Sequence, residues 1–390
     1  MERIKSINII TSPFGCIPPH AIGAVEKLWK SCGDYYISKG LNVVFVSKRP
    51  DVETKDSVHN CYVDGYSWTG SKLKDLLLDG IYSFKALYKM PKCDALVLNT
   101  IWTPLLLPLF RWKYKVSLYN VARFPKHQLG LYKMVDVLSC VSKVVYETMI
   151  EQTPSTKKQG CMINNFINTD IYKPRRIHSI PQKSVTILYT GRINREKGIE
   201  LLVKAVNKVK KHYDVSLKLI GGWEVDKGGS GIAYVNELND LCEGWQIEWV
   251  SPIYDDEQLA MEMDKADIYC YPSLAEKGET FGVAPLEAMG LGIPAIVSAL
   301  GCFKDFVKDK KSGLVFDHHS QNAVNQIVER IMYILESPDN YRTLSEGAIA
   351  VAADFTIKNK AEEYLAVLTN VLNYKETGFD TKSMKVKPLK

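Results

Sequence analysis

The sequence predicts an α/β fold with two parallel-sheet domains. Three observations lead there: short β-branched runs alternate with longer segments of helical period, this alternation occurs twice, and a proline- and arginine-bearing stretch separates the halves. A length of 390 residues also fits two domains better than one. In the first half, strands are expected at Ile7–Thr11, Asn42–Ser47, Ala95–Asn99, Val116–Tyr119 and Val137–Val141. In the second they are expected at Val185–Tyr189, Val215–Ile220, Ile247–Val250, Ile268–Tyr271 and Ala295–Ser298, with a last one at Leu314–Phe316. Asn165–Gln182, with Pro174 and Pro181, reads as the linker, giving a first domain over 1–170 and a second over 171–356. Three helical patterns close the chain. The last, Lys358 to Leu372, carries a stripe at Ala361, Tyr364, Leu365 and Leu368 and is expected to pack back on the first domain, ahead of a frayed basic tail.

Composition narrows the class. Hydrophobic residues make up 46% and charged residues 24%, so a sizeable core can be buried and disorder has no support. The apolar run within Met1 to Thr11 is too short for an export signal, and Thr103 to Phe110, broken by Pro104 and Pro108, is too short to span a bilayer. Nine cysteines without a C-x-x-C pair or a neighbouring histidine argue against a disulfide framework or a zinc site, and for a cytoplasmic setting. The net charge of +6 is uneven: residues 1–172 carry 22 basic against 14 acidic side chains (+8), the remainder 28 against 30 (−2). A basic first half suits an anionic partner such as a membrane surface. The segment Lys72 to Lys92 adds Leu76, Leu77, Ile81, Phe84 and Leu87 between lysines, a stripe that is either core or a peripheral membrane contact. No helix-turn-helix or aromatic-rich basic surface supports nucleic-acid binding.

The segment Ala266 to Ser298 carries the most chemistry, reading as strand, loop, helix and strand. Ligands of such sheets bind beyond the carboxyl ends of the strands. There the loop holds Glu279, Thr280, Phe281 and Gly282, and the following helix holds Glu287 in its second turn. The free amides of the helix start at Phe281, Gly282 and Val283 can cradle a diphosphate, while the two carboxylates can accept hydroxyls of a sugar and a ribose. Alone, two such glutamates would be solvated residues at an ordinary helix start. The punctuation by Gly290, Gly292 and Pro294 makes the pattern specific.

Embedded as E-x-F-G-x-x-x-x-E-A-M and followed by G-x-P-A-I-V-S, this segment resembles the donor-site signature of glycosyltransferase family 4, retaining enzymes of the GT-B fold with a cleft between two Rossmann-like domains. Thr190 to Leu202 is similar to the family's G-R-x-x-x-x-K-G segment, which makes Gly191, Arg192 and Lys197 donor-diphosphate ligands by resemblance. Ile163 to Pro174 resembles its interdomain segment, with Phe166 in place of the usual glycine, and Leu219 to Trp223, including Gly222, its G-x-G turn. Pro18 to Leu28 resembles the glycine loop that brings Gly23 and Ala24 toward the donor phosphates. Base contacts are expected near Pro252 and Ile253. The family's histidine after the fourth strand is replaced by Asn120, with Arg123 and His127 nearby, so Asn120 and Arg123 are carried as candidates for the reacting centre.

The resemblance implies a glycosyltransferase that moves a sugar, with retention, from a nucleotide-diphosphate donor (UDP-sugar favoured, GDP-sugar the alternative) to a glycan acceptor. No Asp-x-Asp occurs, so Arg192, Lys197 and the helix start are expected to balance the leaving group's charge without a metal or other cofactor. A lipid-linked acceptor in cell-envelope polysaccharide assembly fits the basic first half; a soluble acceptor, or a nucleotide-sugar epimerase or phosphorylase of the same architecture, is the alternative. A dehydrogenase is disfavoured because the first strand leads into Ser12 to His20 without G-x-G-x-x-G.

Overall fold

The computed structural model describes residues 3–17, 23–50, 59–176 and 184–376. It divides into two compact units, Met1–Asn165 with Ile357–Lys390, and Phe166–Thr356. In the first unit, β1 (Ser6–Ile10), β2 (Asn42–Lys48), β3 (Asn60–Val63), β4 (Cys93–Leu98), β5 (Tyr114–Val121), β6 (Val137–Cys140) and β7 (Gly160–Met162) form a seven-stranded sheet in the order β3-β2-β1-β4-β5-β6-β7. Every pairing is parallel, with Ile7 opposite both Val43 and Ala95 at the centre. Runs such as Val43–Val46 and Ala95–Leu98 are buried on both faces, which is why they read as continuous apolar stretches. The edge strands β3 and β7 went unread in the sequence because they are only four and three residues long and one holds a glycine.

Helices α1 (Ala24–Ser38), α2 (Lys72–Lys89), α3 (Thr103–Leu106) and α4 (Lys143–Gln152) complete this part of the unit. Of the expected α2 stripe only Leu87 is buried; Leu76, Leu77, Ile81 and Phe84 face solvent, joined by Leu73 and Tyr88. The buried face instead carries Asp75, Asp79 and Ser83 beside Tyr82 and Ala86. Most of these polar atoms find local partners, while Asp75 Oδ2 is buried with none among the described residues. Asp79 Oδ1 accepts from Ser83 Oγ at 3.1 Å and from the Trp102 amide at 3.3 Å, and Asp75 Oδ1 accepts from Thr69 Oγ1 at 2.7 Å. Burial is the main cause that raises the Asp79 carboxyl above its ordinary value.

The second unit holds β8 (Val185–Thr190), α5 (Ile199–Val209), β9 (Val215–Ile220), α6 (Gly231–Asp240), β10 (Glu248–Val250), α7 (Asp256–Met263), β11 (Ile268–Tyr271), α8 (Val283–Gly290), β12 (Ala295–Ser298), β13 (Leu314–Phe316), α9 (Ala323–Leu335) and α10 (Pro338–Ala352). Its sheet is six-stranded and parallel in the order β10-β9-β8-β11-β12-β13. Crossover helices cover it, and α8 is nearly engulfed, with Pro285, Leu286, Ala288, Met289 and Gly290 all buried.

The last helix, α11 (Ile357–Glu376), belongs to the first unit. The Tyr36 hydroxyl donates to the Ala361 carbonyl at 2.8 Å, and the Trp29 and Tyr364 rings lie 4.9 Å apart. The buried stripe runs through Ala361, Tyr364, Val367, Leu368, Val371 and Leu372; Leu365, expected in it, is only half-buried. The boundary between units falls at 165/166 and not at 170, because Phe166 and Ile167 are already core: each is 3% exposed, and the Ile167 amide donates to the Phe355 carbonyl at 3.0 Å. Arg175 and Arg176 bind back on Glu257 and on the carbonyls of Asp264 and Ala266. Pro181, Gln182 and the basic tail from residue 377 onward lie outside the described residues.

Candidate active site

In the second sheet the strand order reverses between β8 and β11, so the connections leaving these neighbours diverge and open a crevice at their carboxyl ends. The β8 connection carries Gly191 to Gly198; the β11 connection carries Pro272 to Gly282. The two are locked together by backbone. The Leu274 amide donates to the Glu196 carbonyl at 2.8 Å, and Gly198 sits at φ 65° so close that a Cβ there would stand 2.2 Å from the Pro272 carbonyl oxygen. Only glycine fits that left-handed position at that approach. Asn194 caps the intervening turn, its side chain accepting from the Glu196 amide at 2.9 Å.

This framework delivers Lys197 to Glu279. Lys197 Nζ lies 2.7 Å from Glu279 Oε2, and the two side chains are 5% and 12% exposed. The same oxygen accepts from Tyr271 Oη at 3.0 Å and from Ser273 Oγ at 3.4 Å. Burial first, and the Glu279 carboxylate second, push the Tyr271 phenol well above its ordinary value, so it stays a donor. Tyr271 also stacks on Tyr189, with ring centroids 5.4 Å apart and planes 7° apart. Downstream, Phe281 is 1% exposed and packs on Phe306 and Phe355, anchoring the start of α8. Gly282 stands just before it at φ 91°, where a Cβ would meet the Phe303 ring at 2.4 Å. Thr280, Val283 and Glu287 are half-buried at this end of the sheet. Tyr172 lies beside Glu287: burial, then that carboxylate, raise its phenol well above the usual range.

Arg192 is the exposed cation of the group. Its Nη1 donates to the Gly228 carbonyl at 3.3 Å and its Nη2 lies 3.5 Å from Glu196. Gly191 and Gly222 bring the β8 and β9 connections together: the Gly191 amide donates to Ile220, and the Ile193 amide to Gly222, both at 2.9 Å. Pro252 adjoins Gly222, and Ile253 follows it after β10, half-buried. The second-unit candidates thus share one edge of one sheet.

Of the candidates in the first unit, Gly23 and Ala24 follow β1 at its switch point between β1 and β4, while Asn120 lies at the end of β5 and Arg123 just after it. Asn120 is 8% exposed and donates through Nδ2 to Asn99 Oδ1 at 2.9 Å; Asn99 in turn donates to the Ile10 carbonyl at 2.9 Å. The Oδ1 of Asn120 is buried without a hydrogen-bond partner among the described residues. Arg123 is exposed and pulls the Asp79 carboxyl down against the stronger effect of burial. His127 is exposed, in a left-handed turn whose amide donates to Gln152. Gly23 and Ala24 stand at the start of α1, with the Glu26 side chain beside them. The Glu26 carboxylate, 7% exposed, accepts from Ser12 Oγ at 3.0 Å and folds back to within 2.8 Å of where a Cβ on Gly23 would be. A carboxylate near that start is unfavourable to a phosphate unless it turns away. Residues 18–22 of that loop lie outside the described residues.

Sequence reasoning missed Tyr271, Ser273 and Tyr172. Their chemistry comes from packing against Glu279 and Glu287; the one local signal was a tyrosine and a serine either side of Pro272 at the end of an apolar strand.

The profile of the family described as glycosyl transferases group 1 matches residues 170–351. The D-inositol 3-phosphate glycosyltransferase of Thermobispora bispora is 27% identical over 260 residues, 62% of this chain and 59% of that protein. The chain thus spans less than two thirds of the curated relatives it matches. Among solved structures, sucrose-phosphate synthase from Thermosynechococcus elongatus superposes with a TM-score of 0.74 at 21% identity, covering 95% of this chain and 99% of that one. Anabaena Alr3699/HepE, in complex with UDP and glucose, superposes with a TM-score of 0.67 at 14% identity over 94% of this chain and 100% of that one. These likenesses match the two parallel Rossmann-like sheets to the GT-B fold. The match to the glycosyl transferases group 1 profile thus lies within the second unit and takes in just under half of the chain.

Proposed function

We propose that this protein is a retaining glycosyltransferase that moves a sugar from a nucleotide-diphosphate donor, a UDP-sugar in preference to a GDP-sugar, to a hydroxyl of a lipid-linked glycan. The observation that carries the reading is the buried Lys197–Glu279 contact at the β8–β11 switch point, beside the start of α8. Without donor, the lysine rests on the glutamate. With donor, Lys197 and Arg192 face the diphosphate together with the α8 amides, supplying fixed positive charge where the departing phosphate becomes anionic. This arrangement needs no metal at the diphosphate. Glu279, still held by Tyr271 and Ser273, turns its other oxygen to a sugar hydroxyl, and Glu287 takes the ribose. The leaving phosphate oxygen accepts the proton of the incoming hydroxyl on the face it departs from, which keeps the anomeric configuration. The base lies along Gly222 and Ile253. Asn120 and Arg123 belong to the acceptor half of the reaction.

A lipid-linked acceptor is supported by the outer face of α2. Leu73, Leu77, Ile81, Phe84 and Tyr88 project from it, and the Phe84 and Phe110 rings, 5.5 Å apart, continue it to Trp112, itself 64% exposed. Lys72, Lys74, Lys85, Lys89 and Lys113 border this surface. An apolar face rimmed by cations suits an anionic bilayer, and no helix among the described residues is long and apolar enough to cross one. We place the enzyme peripherally on the inner face of the plasma membrane, in cell-envelope glycan assembly.

Glu287→Ala should weaken UDP binding about tenfold by titration calorimetry, the loss expected for hydrogen bonds to a charged group; unchanged affinity removes Glu287 from the site. Lys197→Met should destabilise the second unit by about 3 kcal/mol, because it strands a buried carboxylate, and should slow transfer by at least roughly a hundredfold. Adding Glu279→Gln should restore stability without restoring turnover, and restored turnover would assign the pair a purely structural role. Leu77→Ser with Phe84→Ser should lower partitioning onto phosphatidylglycerol vesicles by roughly a hundredfold in a sedimentation assay, with donor affinity unchanged; full retention on the vesicles contradicts the docking face.

A further inference from the structure

Outside the donor crevice, the second unit gathers two histidines and a glutamate whose arrangement the transfer chemistry does not use. Glu276 lies in the β11 connection, and His318 and His319 follow β13. Both imidazoles aim at one atom: Glu276 Oε1 lies 2.8 Å from Nε2 of His318 and 2.8 Å from Nε2 of His319. Their rings lie with centroids 4.1 Å apart and planes tilted by 36°. The His318 side chain is 4% exposed and fixed by burial, whereas His319 at 71% and Glu276 at 52% sit on the water side. The segment is also held from behind. The His319 amide donates to Asp317 Oδ1 at 3.0 Å, and the Asp317 amide to Gln326 Oε1 at 2.8 Å, on α9.

One donor atom from each of the three residues lies within 4.8 Å of the others. Zinc bonds of roughly 2.0–2.1 Å place tetrahedral ligand atoms roughly 3.3 Å apart, so small side-chain shifts suffice to seat an ion. Two imidazoles and a carboxylate select zinc and its transition-metal neighbours over calcium or magnesium. As a simple hydrogen-bonded triad, the same groups must keep protons on both Nε2 atoms and direct both to one carboxylate oxygen. His318 Nδ1 is buried with no hydrogen-bond partner among the described residues, so nothing on its inner side orients the ring.

We propose that Glu276, His318 and His319 bind a zinc ion with water in the fourth position, fastening the β11 connection to the segment after β13. The cysteine spacing had argued against zinc, but the His318–His319 pair is a separate signal. This ion is not the one excluded from the diphosphate. It fixes the connection that carries Glu279 further along, so it acts on the shape of the crevice and not on the leaving group. Because His318 Nδ1 has no outer partner, affinity is expected in the micromolar range, weaker than that of a closed four-ligand site.

The test titrates zinc chloride into chelator-stripped full chain by calorimetry, alongside His319→Ala and Glu276→Gln, both at exposed positions, and repeats the titration with cobalt(II) by absorption. The proposal expects one equivalent bound, at least roughly tenfold weaker in each variant, with tetrahedral cobalt bands and no thiolate band. Absence of saturable binding up to millimolar zinc, undiminished binding in either variant, or a thiolate band assigning the ion to cysteine overturns it. No nucleotide enters the experiment, so its outcome is independent of the transfer reading.

Discussion

The second unit is organised around a lysine ammonium that is almost wholly removed from water. At 5% exposure, Lys197 depends on Glu279, and Glu279 depends on Lys197, Tyr271 and Ser273, because an unpaired charge at that depth costs several kcal/mol. The pair is possible only because two connections from neighbouring strands meet backbone to backbone. Gly198 against Pro272 and the Leu274–Glu196 hydrogen bond set that meeting, and the parallel sheet aims both connections the same way. Such a pair stores charge in a form a ligand can use: on the proposed reading, an incoming diphosphate offers the lysine a second anionic partner while the glutamate keeps two neutral donors.

The first unit follows a different logic. α2 buries carboxylates and turns leucines outward, the reverse of a helix that serves only its own core. The cost of burying Asp79 is offset locally by Ser83 and the Trp102 amide, and that of Asp75 in part by Thr69, whose contacts reach one of its two oxygens. An apolar surface of that kind points to interaction with something other than water. α11 closes the same unit from the far end of the chain, so the first unit is discontinuous in sequence and continuous in packing.

Much of this was legible beforehand where burial is two-sided. Ile268–Tyr271, Ala295–Ser298 and Val215–Ile220 read directly as strands because central parallel strands are apolar throughout. The edge strands β3 and β7 are too short to carry a pattern. The α2 stripe was legible as a period but not as a direction, since the same repeat describes a face turned inward or outward; only Asp79 and its distant partners decide. At the crevice, Lys197, Glu279 and Glu287 stood out through the spacing of a known signature, whereas Tyr271 and Ser273 gain their roles from a carboxylate brought to them by the fold. The start of α1 resembles a phosphate loop, whereas the contact of Glu26 with Ser12 beside it arises from the fold and carries no sequence pattern.

The central claim is that the second unit seats a nucleoside diphosphate by fixed protein charge. Its most direct test is thermal stabilisation of the purified protein across UDP, GDP, ADP and their sugar conjugates, first without added metal and then with EDTA present, each run referenced to a nucleotide-free sample under the same conditions. The account predicts a selective rise in melting temperature with one nucleotide series, UDP foremost, whose ligand-induced increment survives chelation. No shift with any nucleotide, or a shift that EDTA abolishes even in the Glu276→Gln variant, would contradict it.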